Sequence, residues 1–323
     1  MMKNIFKIFA VVCSIFGRVI PSFGGTHGTR DFPIYAITDI HMNSEPLKGI
    51  TKLTDGIVIV NGDIVTGVTF DKKQRKLGSK HTYSIRKTLK GTWTDPQTAI
   101  DILKTRTSPY PLIVGLGNHE LNPYAYNGSS IKDLKKWIQA LLGIGVIPLC
   151  TFPNYTSLGA ERCYRYGNTY FLSYLTSEYG AKEINAKDRN HYESAAISSI
   201  SWQIQQAYNT NFHMKEVHLM LHAGFDEGKR IAEGVIRTLE NYTFDTQKVY
   251  FICYLGHAHG ESIPDKYRHK GHKEAYWKGY VSVPVGTKEK NIRFVFPNCA
   301  DDCIRIDTDG TRSLKARFIT KSL

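Results

Sequence analysis

The chain has 323 residues, 41% of them hydrophobic, and a formal charge of +13. That length and apolar fraction suffice for one enzyme-sized domain and exclude a disordered or fibrous chain. The positive surplus favours anionic partners such as phosphate esters, lipid headgroups or nucleic acid, and it bears on attraction rather than on fold.

Lys3 and Lys7 accompany an apolar run from Ile5 to Phe16, and the small-residue stretch Pro21-Ser22-Phe23-Gly24-Gly25 follows. This is the pattern of a secretory signal peptide over residues 1–25, and it leaves 26–323 as a single domain. The run is shorter than the about 20 residues that a bilayer span needs, and no later segment approaches that length. No transmembrane segment is therefore expected, and the mature chain is expected to be secreted or lumenal. Sequons at Asn127, Asn154 and Asn241 agree with a glycoprotein on that route. Cys13 would leave with the presequence. Of the remaining cysteines, Cys150 with Cys163 and Cys299 with Cys303 are predicted to form local disulfides, leaving Cys253 free in a strand.

The mature part opens with a strand, Phe32 to Thr38, followed at once by Asp39-Ile40-His41. Alternation along an extended segment would point Asp39 and His41 the same way. A second strand, Gly56 to Val60, ends in Asn61-Gly62-Asp63. The basic insertion from Asp71 to Trp93 is a candidate for attracting a polyanion or an anionic surface, beside its plainer reading as a solvated loop. A helix is predicted from Pro96 with Asp95 as its cap, carrying Ala99, Ile100 and Leu103 on one face. The strand Leu112-Ile113-Val114 then stops in Gly115-Leu116-Gly117 and presents Asn118, His119 and Glu120 where the chain leaves the sheet.

The next helix has Ser130 and Asp133 as its capping pair and Ile131, Leu134, Trp137, Ile138, Leu141 and Leu142 at helical spacing. Aromatic alternation from Val146 to Ser177 reads as paired strands. A helix over Ala195 to Tyr208 turns Ile197, Ile200, Ile204 and Tyr208 inward. Strand Val217 to Leu221 ends in His222-Ala223-Gly224, with His218 as a rival candidate four residues earlier on the same strand. A helix over Lys229 to Glu240 precedes strand Val249 to Leu255, which stops at Gly256-His257-Ala258-His259. The last fifty residues are strand-like throughout.

Five strands thus end in groups that can bind metal, and in layered α/β proteins such groups converge at the carboxyl ends of strands. The order D-x-H, G-D, G-N-H-E, H, G-H-x-H, carried by Asp39 and His41, Asp63, Asn118 to Glu120, His222, and His257 with His259, resembles the calcineurin-like metallophosphoesterase superfamily. Any one block is common, and the ordered set of five carries the resemblance, which covers residues 33–260. It implies an α/β fold with a two-layered β-sandwich flanked by helices. It also implies that Asp39, His41 and His259 hold one metal ion and Asn118, His222 and His257 a second, with Asp63 bridging. His119 would protonate the leaving oxygen, with Glu120 as its orienting neighbour. Two cations roughly 3.5–4 Å apart would clamp a phosphoryl oxygen and lower the pKa of an attacking water. Zinc, iron and manganese all suit these ligands.

The implied function is a secreted phosphoesterase acting on phosphate mono- or diesters. Ile64-Val65 follow Asp63 without the tyrosine that purple acid phosphatases use for ferric iron. 5′-Nucleotidase-like and sphingomyelinase-like activities are alternatives, although the extra domains usual in those relatives are not expected here. A non-catalytic metal-binding protein is the alternative of another class, and His119 argues against it because the family scheme gives that residue a purely chemical task.

Overall fold

The computed structural model describes residues 31–41, 43–65, 67–68, 96–121, 131–150, 159–175, 186–210, 213–242, 244–245, 249–257, 280–285, 290–295, 302–308 and 314–320. Residues 1–25, the 71–93 stretch and His259 lie outside them. In chain order the described elements are β1 (Ile34–Ile37), α1 (Ser44–Thr51), β2 (Ile57–Asn61), α2 (Pro96–Leu103), β3 (Leu112–Gly115), α3 (Asn118–Leu121), α4 (Ile131–Gly143) and β4 (Ile147–Leu149). There follow β5 (Cys163–Tyr166), β6 (Thr169–Leu175), α5 (Ala186–Thr210), β7 (Glu216–His222), α6 (Phe225–Glu240), β8 (Tyr250–Leu255), β9 (Tyr280–Val285), β10 (Lys290–Val295), β11 (Asp302–Thr308) and β12 (Leu314–Thr320).

The protein is α/β, with two mixed six-stranded sheets ordered β12-β11-β1-β2-β3-β4 and β5-β6-β7-β8-β10-β9. In the first, β1 to β4 run parallel and β11 and β12 antiparallel. In the second, β6, β7, β8 and β10 run parallel between the antiparallel edges β5 and β9. A bridge between Leu149 and Glu161 links the sheets where β4 meets β5.

Strand periodicity divides the core into three. Ile34, Ala36, Ile57, Ile59 and Ile113 of the first sheet share one buried cluster with Phe171, Met220, Ile252 and Tyr254 of the second, so the sheets face each other. The alternate residues Ile37, Val58, Val60, Leu112 and Val114 point the other way, into a cluster completed by α1, α2 and α4. Leu172, Val217, Leu219, Leu221, Phe251 and Cys253 do the same beneath α5 and α6. Central strands buried on both faces explain the unbroken apolar runs in the sequence.

The predicted helices form with shifted bounds. Helix α2 buries Ala99, Ile100 and Leu103 as expected, and Pro96 as well. Helix α5 begins before Ala195, and α6 begins at Phe225 rather than Lys229, because Gly224 serves as its N-cap and Asp226 and Glu227 suit the first turn. Leu142, counted as a core position of α4, is 38% exposed, one step outside the stripe formed by Leu134, Trp137, Ile138 and Leu141. Helix α1 is an addition to the predicted set, capped by Asn43, whose side chain accepts from the Glu45 amide.

The disulfide expectation is overturned for Cys150 with Cys163. No disulfide joins Cys150 to Cys163, and Cys253 is a buried thiol as expected; Cys299 lies outside the described residues. Cys150 belongs to the helix-covered face of the first sheet and Cys163 packs on that of the second, so their side chains point to opposite faces although the Cys150 amide donates to the nearby Glu161 carbonyl at 2.7 Å. Among the described residues no helix is long and apolar enough to cross a membrane. Alkylation in denaturant without reductant should label Cys150, Cys163 and Cys253 in a peptide map; a linked Cys150–Cys163 peptide would contradict this arrangement.

Candidate metal centre

Strands β1, β2, β3, β7 and β8 all end at one edge of the sandwich, and the residues that follow them form a single buried cluster. Asp39, His41, Asp63, Asn118, His119, Glu120 and His222 are nearly or fully buried, and His257 is partly buried. Only His259 of the expected set falls outside the described residues. His222, and not His218, reaches the cluster. His218 lies on the face between the sheets, its ring nitrogens 2.6 Å from the Tyr254 hydroxyl and 2.9 Å from Glu216 Oε2.

The backbone takes a form that the sequence did not announce. The residues after β1 are not extended: Asp39 has φ 52° and His41 φ 50°, while Asp63 has 52° and His257 68°. These four are the positive-φ residues other than glycine among the described residues, and all four are expected metal ligands. Left-handed backbone at such residues costs on the order of 1–3 kcal/mol each and persists only where surrounding structure holds it. Here the strand-end loops hold one another. The amides of Asp39 and His41 donate to the Gly62 and Asp63 carbonyls, and the His257 amide donates to Asp39 Oδ2 at 3.1 Å. Two glycines give the cluster its density: a Cβ on Gly62 would strike the His222 ring, and one on Gly117 would strike the Asp63 carboxylate.

Asp63 is the shared member. Its Oδ1 accepts the His119 amide at 2.9 Å, and its Oδ2 lies 3.1 Å from His222 Nε2 and 3.9 Å from His119 Nε2. Asn118 Oδ1 is 2.9 Å from both His222 Nε2 and His257 Nδ1. Two groups follow that could each hold a metal ion, His41 with Asp63 and His119, and Asp63 with His222 and His257, the ligand atoms in each lying within 4.8 Å of one another. Carboxylate, amide oxygen and imidazole suit zinc, iron or manganese. The fit extends to the His222 ring, whose Nδ1 donates to the Asn61 carbonyl at 2.7 Å and so directs Nε2 at the other donors, as in ligating histidines generally.

The first group differs from the resemblance, since it contains His119 and lacks Asp39, while His259 lies outside the described residues. Asp39 was expected to join His41, and its Oδ1 lies 3.8 Å from His41 Nε2. His119, expected to bind no metal, also stands within reach, its ring edge-to-face with His41 at 4.7 Å. Glu120 departs from its expected position as the neighbour that orients His119. Its Oε2 accepts the Gly117 and Asp63 amides at 2.8 and 3.0 Å, and its Oε1 accepts Val65 at 3.0 Å. It therefore clamps the β2 loop to the β3 loop from beneath.

In the sequence Asn61 stands only as part of the turn after β2, with Asp63 as the functional residue, and the structure places it as the last residue of that strand. The Thr38 hydroxyl, 2.7 Å from Asp39 Oδ2 and 2.8 Å from the Asn61 carbonyl, joins the same group. No protein-family model matches the chain, and no curated protein matches it, so geometry carries the functional argument.

Charge is crowded here. Burial raises the Asp63 carboxyl but is outweighed by the imidazoles of His222 and His119, which hold it well below the usual carboxylate range. Burial lowers the His222 imidazole, but Asp63 prevails and pushes it up to about 10. Burial and then Asp63 raise Glu120 to about 8. In the metal-free protein the stability contributed by His222 is present below pH 6.5 and lost as pH rises through about 10. Raising pH from 4.5 through about 8 charges a buried Glu120 and lowers stability further. The Asp63 contribution runs oppositely and is lost as pH falls below 3.8.

Thermal melts of chelator-treated protein should therefore fall as pH rises from 6.5 towards about 10, and bound zinc or manganese should reduce the fall by replacing the His222 proton. A metal-free melting temperature that rises over that range would refute the assignment. Glu120→Ala leaves three buried amides without an acceptor and should cost about 3 kcal/mol or more in urea unfolding, where each lost acceptor is worth about 1–3 kcal/mol. A loss near zero would show that Glu120 is no clamp.

Proposed function

We propose that this chain is a metal-dependent phosphoesterase of the calcineurin-like metallophosphoesterase type, with a β-sandwich of that fold, acting on phosphate mono- or diesters. The observation that carries the reading is the Asp63 shared between two donor groups, three of whose five members, His41, Asp63 and His257, sit on strained left-handed backbone. Backbone strain concentrated on candidate ligands is hard to explain as packing and natural for a preorganised centre. Asp39, His41, Asp63 and His259 would hold one ion, and Asp63, Asn118, His222 and His257 the other. Bound there, the cations supply charge neutralisation for a phosphoryl oxygen and a nucleophile from water at neutral pH.

The chain's own residues do the rest. Asp63, the carboxylate common to both donor groups, would offset the charge of the ions held there. His119 is fixed by the hydrogen bond its backbone amide donates to Asp63 Oδ1 and by the His41 ring, and its task is to protonate the leaving oxygen. Glu120 keeps the two loops in register. The pattern of residues 1–25 supports a secreted or lumenal enzyme. The buried thiols of Cys150 and Cys253 would tolerate such a compartment because oxidants do not reach them.

Hydrolysis of p-nitrophenyl phosphate and bis-p-nitrophenyl phosphate by manganese- or zinc-loaded protein tests the reading and separates monoester from diester. His119→Ala should keep two ions and lower turnover about 100- to 10,000-fold, whereas Asp63→Asn should lose metal. Intact esters together with an untouched nucleotide panel would sink the enzyme reading, and equal metal loss in both variants would sink the assignment of His119.

A further inference from the structure

Asn61 is fully buried at the end of β2, in the first sheet, yet its side chain acts on the second. Its amide nitrogen donates to the Leu221 carbonyl of β7 at 3.2 Å and to the Tyr254 carbonyl of β8 at 2.9 Å. Two carbonyls can only be met by a donor, so the amide has one orientation here. Leu221 immediately precedes His222, and Tyr254 stands three residues before His257. The main-chain carbonyl of the same Asn61 accepts His222 Nδ1 at 2.7 Å. One residue therefore grips both strands that deliver the second group of ligands, and it also sets which ring nitrogen of His222 faces Asp63 and Asn118.

The arrangement carries an unmet group. Asn61 Oδ1 is buried without a hydrogen-bond partner, a cost that an apolar residue of similar size would avoid. Stability alone does not ask for asparagine at this place. A donor that ties two sheets together directly behind a ligating imidazole does.

We infer that Asn61 is a positioning residue of the metal centre, bridging the two sheets so that the His222 ring presents Nε2 to the ion shared with Asp63, Asn118 and His257. The inference rests on the metal-centre reading of the cluster. Asn61 touches no substrate and no reacting atom, so its effect should appear in metal binding at one of the two positions and not at the other.

The test titrates Mn(II) into the chelator-stripped full chain by calorimetry and follows the loaded protein by electron paramagnetic resonance. Wild-type protein should bind two ions with the spectrum of an exchange-coupled pair. Asn61→Asp, isosteric but without the donor, and Asn61→Leu, of similar size and apolar, should weaken one ion about 10- to 100-fold and leave the other unchanged. The spectrum should then become that of an isolated ion. In the His222→Ala background, adding Asn61→Asp should change nothing further, because the two substitutions act through one ligand.

Equal weakening of both ions, unchanged binding, additive losses in the double variant, or failure of both Asn61 variants to fold would each overturn the positioning role. Wild-type protein that binds no Mn(II) would overturn the metal-centre reading itself, a failure distinct from two ions bound equally well with and without Asn61.

Discussion

The placement of the Asp63 carboxylate among buried imidazoles is the constraint on which the rest of this structure depends. A carboxylate out of water is stable only where positive charge or hydrogen-bond donors meet it. Asp63 obtains both, from the His119 amide on one oxygen and from His222 on the other. Without metal the His222 proton supplies the charge. A cation in the same place would do so with more ligands and without the pH dependence, which is why the metal-free cluster resembles a site held by a proton.

That constraint propagates outward through the backbone. To aim short side chains at one point, Asp39, His41, Asp63 and His257 adopt left-handed conformations, and each is held by bonds from a neighbouring loop. Glu120 supports the β2 and β3 loops from one side, and Asn61 anchors the β7 and β8 ends from the other. Gly62 and Gly117 have no side chain because His222 and Asp63 occupy that volume. The cluster thus depends on five loops at once, and the loops depend on both sheets. Rigid sheets at whose edge strained loops meet are a common way to fix ligands more closely than loops alone allow.

Much of the fold was legible beforehand. Continuous apolar runs such as Ile57 to Val60 and Val217 to Leu221 could only be strands buried on both faces, and the stripes Ala99-Ile100-Leu103 and Ile231-Val235-Ile236-Leu239 could only be helix faces. Helix ends were less legible, since Gly224 before Phe225 moved a boundary that hydrophobic spacing alone put four residues later. Cys150 and Cys163 misled because nearness in sequence does not reveal that two residues flank opposite outer faces of a sandwich.

For the site, local sequence determined which residue types stand at strand ends: acids, amides and imidazoles beside glycines, in an order that resembles one superfamily. Side-chain chemistry and strand periodicity are local properties, and a single chain displays them. Only the tertiary structure decided that Asp63 is common to two donor groups, that His222 rather than His218 joins it, that Glu120 clamps loops instead of orienting His119, and that Asn61 spans the sheets. Those outcomes turn on contacts between residues more than fifty to nearly two hundred positions apart, where direction and distance are set by the meeting of two sheets and not by any neighbour in the chain.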